Sequence, residues 1–276
     1  MKGLIIKAIS GTYDVLIEDT IVTTKPKGLF RHQNTSPKVG DFVDVEANVI
    51  VNIYPRKNDF IRPNIANVDK VFITTSIVEP ELNLNLLDRL ICLSEYYDVK
   101  SVLVFTKDDL TTSKIYLNTI SYYKELGYRC YILPEQTESL LDEINQNICV
   151  LAGQSGVGKS TLLNRLDQSL NIRTDAISKA LNRGKHTTRH VELLKIKGGW
   201  IADTPGFGIL DLEMNETSLS HTFVEFFNTS CRFSKCLHIK EPGCMVRDYV
   251  KSKTILPSRY ENYLMFIEEI RKRRKC

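Results

Sequence analysis

The sequence predicts a multi-domain α/β protein: a small N-terminal β-barrel, a larger domain on a mostly parallel sheet, and a helical, metal-binding C-terminal module. Three observations carry this. Short β-rich runs divided by turn residues fill the first 64 residues. Strands and amphipathic helices then alternate from Asp69, a pattern that implies a parallel sheet covered by helices. Three cysteines and a histidine cluster near the end. The boundaries that follow are 1–64, 65–222 and 223–276.

Composition limits what the chain can be. Its 276 residues leave room for about two domains and a small further module. No apolar run approaches the roughly 20 residues of a membrane span. The start, Met1-Lys-Gly-Leu-Ile-Ile-Lys7, meets charge too early for a signal peptide. A net charge of only +4 confines any nucleic-acid surface to a local patch. Seven cysteines without an export signal argue for metal ligands and buried thiols over disulfides. The expected location is the cytoplasm, and a monomer is the default.

The barrel is read from runs at 4–9, 13–17, 21–24, 41–46 and 49–54, with turns at Ser10-Gly11, Glu18-Asp19, 26–28 and Gly40-Asp41. Five short strands in so few residues suit an OB-type barrel, a common oligonucleotide binder. Lys25, Lys27, Arg31, His32 and Lys38 surround Phe30, which offers cations for phosphate and an aromatic ring for stacking. A solvated loop is the plain alternative. Residues 54–63 are polar and bounded by prolines, so they read as a linker.

Next come a strand at 71–75, a helix at 83–97, a strand at 102–105 and a helix at 113–126 closed by Gly127. A strand at 130–133 and a helix at 138–146 follow. The apolar run 148–152 then leads into Gly153, Gln154, Ser155, Gly156, Val157, Gly158, Lys159, Ser160 and Thr161. These fit the G-x-x-x-x-G-K-[ST] phosphate loop in its strand–loop–helix setting. Its glycines let backbone N–H groups turn inward around a phosphate, and the helix N-terminus adds positive charge. Lys159 would reach the β- and γ-phosphates, and the Ser160 hydroxyl would ligate Mg²⁺.

Two further strand ends carry chemistry. Asp203-Thr-Pro-Gly206 follows the strand at 200–202; there the carboxylate can hold the Mg²⁺ hydration shell and the Gly206 N–H can sense a γ-phosphate. Thr106, Lys107, Asp108 and Asp109 follow the strand at 102–105 and resemble the Asn-Lys-x-Asp motif of GTPases. Asp109 would accept from N1–H and N2–H₂ of guanine, donors that adenine does not offer there, while the Lys107 stem packs along the base. Here the base-reading motif precedes the phosphate loop, the reverse of Ras-like order. The domain therefore reads as a circularly permuted P-loop GTPase domain. An ATPase, or an RNA-binding scaffold on which turnover is incidental, are the alternatives.

Cys231, Cys236, His238 and Cys244 match a closed Cys₃His structural zinc site, with the Pro242-Gly243 turn bringing the last cysteine round. The final helix, about 259–275, ends in a basic run that is either a solvated terminus or a phosphate-contacting patch.

Taken in order, these modules resemble the small-ribosomal-subunit-stimulated GTPases of bacteria, the RsgA or YjeQ/YloQ family. The resemblance rests on Gly40-Asp41, Arg62-Pro63, residues 106–109 and 153–161, Gly184-Lys-His-Thr-Thr-Arg189, Asp203-Thr-Pro-Gly-Phe207 and Cys231 to Cys244. It implies binding of the 30S subunit and its 16S rRNA late in assembly, with GTP hydrolysed there to GDP. It also implies that residues 184–189 are a switch, in which Thr187 or Thr188 approaches Mg²⁺ and the γ-phosphate; Thr188 is taken as the Mg²⁺ ligand. Phe207 stands where Ras-like enzymes carry a water-orienting glutamine, so His186 takes that role by resemblance. Two departures matter. Thr106 replaces asparagine, and Leu133-Pro134-Glu135 lacks the Ser-Ala that gives an N–H to guanine O6; Pro134 has none to give.

Overall fold

The structure, a computed structural model, describes residues 1–28, 30, 35–170, 191–203, 211–227 and 229–273. Strands β1 (Lys2–Ile9), β2 (Thr12–Ile17), β3 (Thr20–Pro26), β4 (Phe42–Glu46) and β5 (Val49–Ile53) close a barrel in the order β1-β2-β3-β5-β4. Alternate residues point inward, so Ile5, Val15, Val43 and Ile50 are fully buried in its core.

Residues 54–69 are more than a linker. They hold a short antiparallel ribbon, β6 (Asp59–Phe60) with β7 (Ile65–Ala66), fastened to the barrel by side chains. Arg56 donates to both oxygens of the buried Asp41 carboxylate, each at 2.7 Å, and Nη1 donates to Asp59 at 2.8 Å. Asn67 donates to Gly40 O at 2.9 Å. Gly40 sits at φ +87°, where a Cβ would lie 2.1 Å from Ala66 O, so only glycine fits beneath the ribbon. Polar, proline-bounded composition concealed this, because the ion pairs lie over a few separated apolar residues, Phe60, Ile65 and Val68, that are buried in the core.

The second domain is a six-stranded sheet. It comprises β8 (Lys70–Ser76), β9 (Lys100–Thr106), β10 (Arg129–Ile132), β11 (Ile148–Ala152), β12 (Leu193–Ile196) and β13 (Gly199–Asp203), in the order β10-β9-β8-β11-β13-β12. All neighbours are parallel except β12 and β13. Helices α1 (Leu84–Tyr96) and α2 (Tyr116–Glu125) cover one face, where Leu90, Ile91 and Tyr123 join Val71, Ile73, Leu103 and Phe105. Helices α3 (Thr137–Ile144) and α4 (Lys159–Leu166) cover the other, where Leu140, Ile144 and Leu163 meet Phe72, Val102, Val104 and Leu151. Successive strand residues thus divide between two cores, as the period of two requires.

Beyond the sheet lie α5 (Glu216–Ser220), α6 (Met245–Lys251) and α7 (Pro257–Arg273). Arg259 of α7, fully buried, joins this module to α1: Nη1 donates to Asp88 at 2.8 Å, and Nε and Nη2 donate to Glu225 at 2.8 and 2.9 Å. Tyr123 and Asn262 also donate to Asp88. Removing one partner from such a buried network costs about 3–5 kcal/mol. Among the described residues no helix is long and apolar enough to cross a membrane.

Candidate functional site

The phosphate loop leaves β11 and enters α4 at the carboxyl edge of the sheet. Gly153 lies so close to β8 that a Cβ would stand 2.1 Å from Thr74 O. Val157 is buried and plugs the loop onto the sheet. The Lys159 ammonium donates to Gly153 O at 2.8 Å and to Gln154 O at 2.7 Å, which holds it across the loop. Ser160, in the first turn of α4, is buried beside it. A positive side chain at a helix N-terminus, ringed by backbone amides, is suited to a polyphosphate.

Strand β9 lies one strand away, separated from β11 by β8, so its end opens on the same edge. Thr106 Oγ1 stands 2.6 Å from Val157 O and 3.3 Å from Thr75 O; its one proton serves the shorter bond and ties the base loop to the phosphate loop. Lys107 takes φ +63° and donates through Nζ to Glu79 O, in the loop after β8. The two aspartates then part. Asp108 accepts from Lys114 at 2.8 Å and from the Tyr116 hydroxyl, and these bonds hold its carboxyl below the usual carboxylate range. Asp109 is exposed, and no described residue donates to its carboxylate.

The loop after β10 completes this edge. Leu133 N donates to Phe105 O at 2.8 Å, Gln136 N to Ile132 O at 3.1 Å and Thr137 N to Pro134 O at 3.2 Å. The Glu135 N–H, one residue beyond the proline, donates to none of the described residues. Asp203 closes β13, where the backbone register sets it beside Leu151 of β11, next to the phosphate loop. His186, Thr187, Thr188, Gly206 and Phe207 lie outside the described residues, as do Arg31, His32 and Cys276.

The four predicted metal ligands come together, with their ligand atoms all within 4.8 Å of one another. Cys231 Sγ and Cys244 Sγ each lie 3.5 Å from His238 Nδ1 and 4.0 Å from each other. A tetrahedral zinc ion with bonds of about 2.3 Å to sulfur and 2.0 Å to nitrogen sets those edges near ~3.5 and ~3.8 Å. The donor set therefore fits the ion. Burial raises the Cys231 thiol, but backbone N–H groups of Met245 and Val246 outweigh it and leave the thiol below its ordinary value. Burial also lowers His238, which favours the neutral, ligating imidazole. The Glu241 carboxylate accepts from the N–H groups of Leu237, Ile239 and Lys240 and shapes the knuckle. Tyr260 and Tyr263 of α7 donate to His238 O and Leu237 O, each at 2.6 Å.

A phosphate loop, a Thr-Lys-Asp-Asp loop tied to it from an earlier strand, a preceding barrel and a following Cys₃His knuckle define a circularly permuted P-loop GTPase. The family model for the RsgA GTPase matches residues 53–213, and that for the RsgA N-terminal domain matches residues 2–49. The chain belongs to the RsgA family. It is 44% identical to a small ribosomal subunit biogenesis GTPase RsgA of Pediococcus pentosaceus, over 98% of this chain and 93% of that protein. It is likewise 44% identical to the one from a Geobacillus species, over 99% and 98%. Among solved structures, YloQ, described as a circularly permuted GTPase, superimposes with a TM-score of 0.81 at 34% identity, over 99% of this chain and 95% of that one. YjeQ from Thermotoga maritima gives 0.81 at 33%, over 98% of each chain.

Proposed function

We propose that this chain hydrolyses GTP to GDP and phosphate while bound through 16S rRNA to the small ribosomal subunit, late in the subunit's assembly, and that the subunit accelerates turnover. The observation that carries this is the bond from Thr106 to Val157, which sets a base-reading loop and a phosphate loop at one fixed spacing. Asp109, free of protein donors among the described residues, reads guanine N1–H and N2–H₂, and the Glu135 N–H serves O6 in place of the missing Ser-Ala pair. Lys159 neutralises the reacting phosphates. Ser160 and Thr188 would hold Mg²⁺, which supplies charge neutralisation at the β- and γ-oxygens. His186 orients water, since Phe207 has no donor or acceptor for it. The Cys₃His knuckle holds a structural zinc ion and, with no open ligand position, takes no part in the chemistry. A ribosomal partner places the protein in the cytoplasm, and it acts there as a monomer.

The deciding test is GTP turnover with and without purified 30S subunits, with ATP run in parallel. Turnover should be slow alone, faster with subunits and selective for GTP. No acceleration would leave an RNA-binding scaffold, and tighter binding of ATP would remove the guanine assignment.

A further inference from the structure

The basic end of α7 reads in sequence as either a solvated terminus or a patch for phosphate, and in the structure Arg271 and Arg273 are occupied by the chain itself. Arg271 approaches Glu216 Oε2 with Nη2 at 2.8 Å and Nε at 3.2 Å. Arg273 donates through Nη2 to Asp211 Oδ1 at 2.8 Å and through Nη1 to Leu212 O at 3.2 Å. Asp211, Glu213 and Glu216 place three carboxylates within six residues, along a segment that starts eight residues beyond Asp203. These contacts differ in kind from the Arg259 lock lower on the same helix. Arg259 is fully buried, whereas the Arg271, Arg273 and Asp211 side chains are 46%, 38% and 65% exposed and Glu216 keeps 18%. Water screens exposed pairs, and they exchange partners easily.

We propose that Arg271 and Arg273 form an RNA-phosphate site which the acidic segment 211–216 occupies in competition, so that RNA binding at α7 displaces this segment. An arginine fork takes phosphate as it takes carboxylate, and successive guanidinium groups on two carboxylates mimic successive phosphates of one strand. An RNA backbone adds counterion release, which an intramolecular carboxylate does not. Lys272 is exposed between the two arginines and strengthens the polyanion's side of the exchange. The inference rests on the ribosomal reading.

Removing acid from segment 211–216 should strengthen RNA binding. Affinity of the full chain for a fluorescent uridine 20-mer is measured at low salt for Asp211→Asn with Glu216→Gln, and for Asp211→Asn alone. The control is Glu261→Gln with Glu268→Gln, which removes the same charge from exposed positions of α7. The paired Asp211, Glu216 variant should bind roughly three- to fivefold tighter than the control, as expected for relief of ion pairs at the surface. In an Arg271→Gln, Arg273→Gln background that advantage should vanish. Equal tightening in the control, or an advantage that survives loss of the arginines, overturns the competition. Failure of the unaltered chain to bind RNA at all overturns both this and the ribosomal reading, whereas RNA binding without the acid-dependent gain overturns this inference only.

Discussion

Asp108 and Asp109 are neighbours with opposite fates, and the difference lies in who donates to them. Lys114 and Tyr116 claim Asp108, which braces the loop, while no described residue donates to the Asp109 carboxylate. Asp109→Asn should therefore lower GTP affinity by roughly one to two orders of magnitude, the loss of a charge-assisted pair of hydrogen bonds. Xanthosine triphosphate, which carries a carbonyl where guanine has its amino group, should bind the variant better than the unaltered chain. Competition binding with both nucleotides measures this, and unchanged GTP affinity would remove Asp109 from base reading. The motif itself was legible in sequence. The division of labour within it was not, because Lys114 and Tyr116 reach Asp108 only once the loop is folded. Thr106 shows the same limit: its hydroxyl is spent on Val157, a contact between strands that no local spacing reveals.

Helix α3 packs on the sheet through Leu140 and Ile144 and is also tied to it by one acid. Glu143 accepts from Lys70 at 2.7 Å, from Tyr131 at 2.6 Å and from Arg129. Burial works to raise its pKa, but these three donors outweigh it and bring the group from 4.5 to about 2. A folded value below the ordinary one stabilises the fold above about pH 4.5, and that stability is lost as pH falls toward about 2. Glu143→Gln should cost about 2–3 kcal/mol at pH 7 and approach no difference near pH 2, as urea unfolding at several pH values would show. A constant difference across that range would mean that packing, not charge, sets the cost. Most elements announced themselves by period. Strand β12 did not, since its four residues alternate too briefly and turn back within Lys197-Gly198. Helix α2 starts at Tyr116, three residues later than the sequence reading of 113–126.

At the scale of the molecule, the order of modules could be read directly, but their joints could not. The zinc knuckle hangs from α7 through Tyr260 and Tyr263, and α7 is locked to α1 through Arg259, so the metal site is continuous with the GTPase core. Cys236→Ser should abolish zinc retention and loosen the knuckle, because metal binding energy is folding energy in a segment this small. GTP affinity should stay within about twofold, given that Arg259 and Asp88 keep the helices docked. Subunit-stimulated turnover should fall. Metal content measured beside stimulated rate decides it: full occupancy would unseat the ligand set, and full stimulation without metal would deny the knuckle a part in docking.

The strand order has one more consequence, for the time during which the protein is being made. β8, β9 and β10 are consecutive in the chain and adjacent in space, so half of the sheet can assemble as soon as it is synthesised. The other edge of β8 waits for β11, and 71 residues lie between Ser76 and Ile148. At bacterial and eukaryotic elongation speeds that is a delay of about four to fourteen seconds. For that interval a nascent chain presents Val71, Phe72 and Ile73, all of them core residues in the finished fold, along an unpaired strand edge. Permutation thus sets the hour at which this protein is most exposed to misassociation, which falls while it is still attached to the machine that makes it.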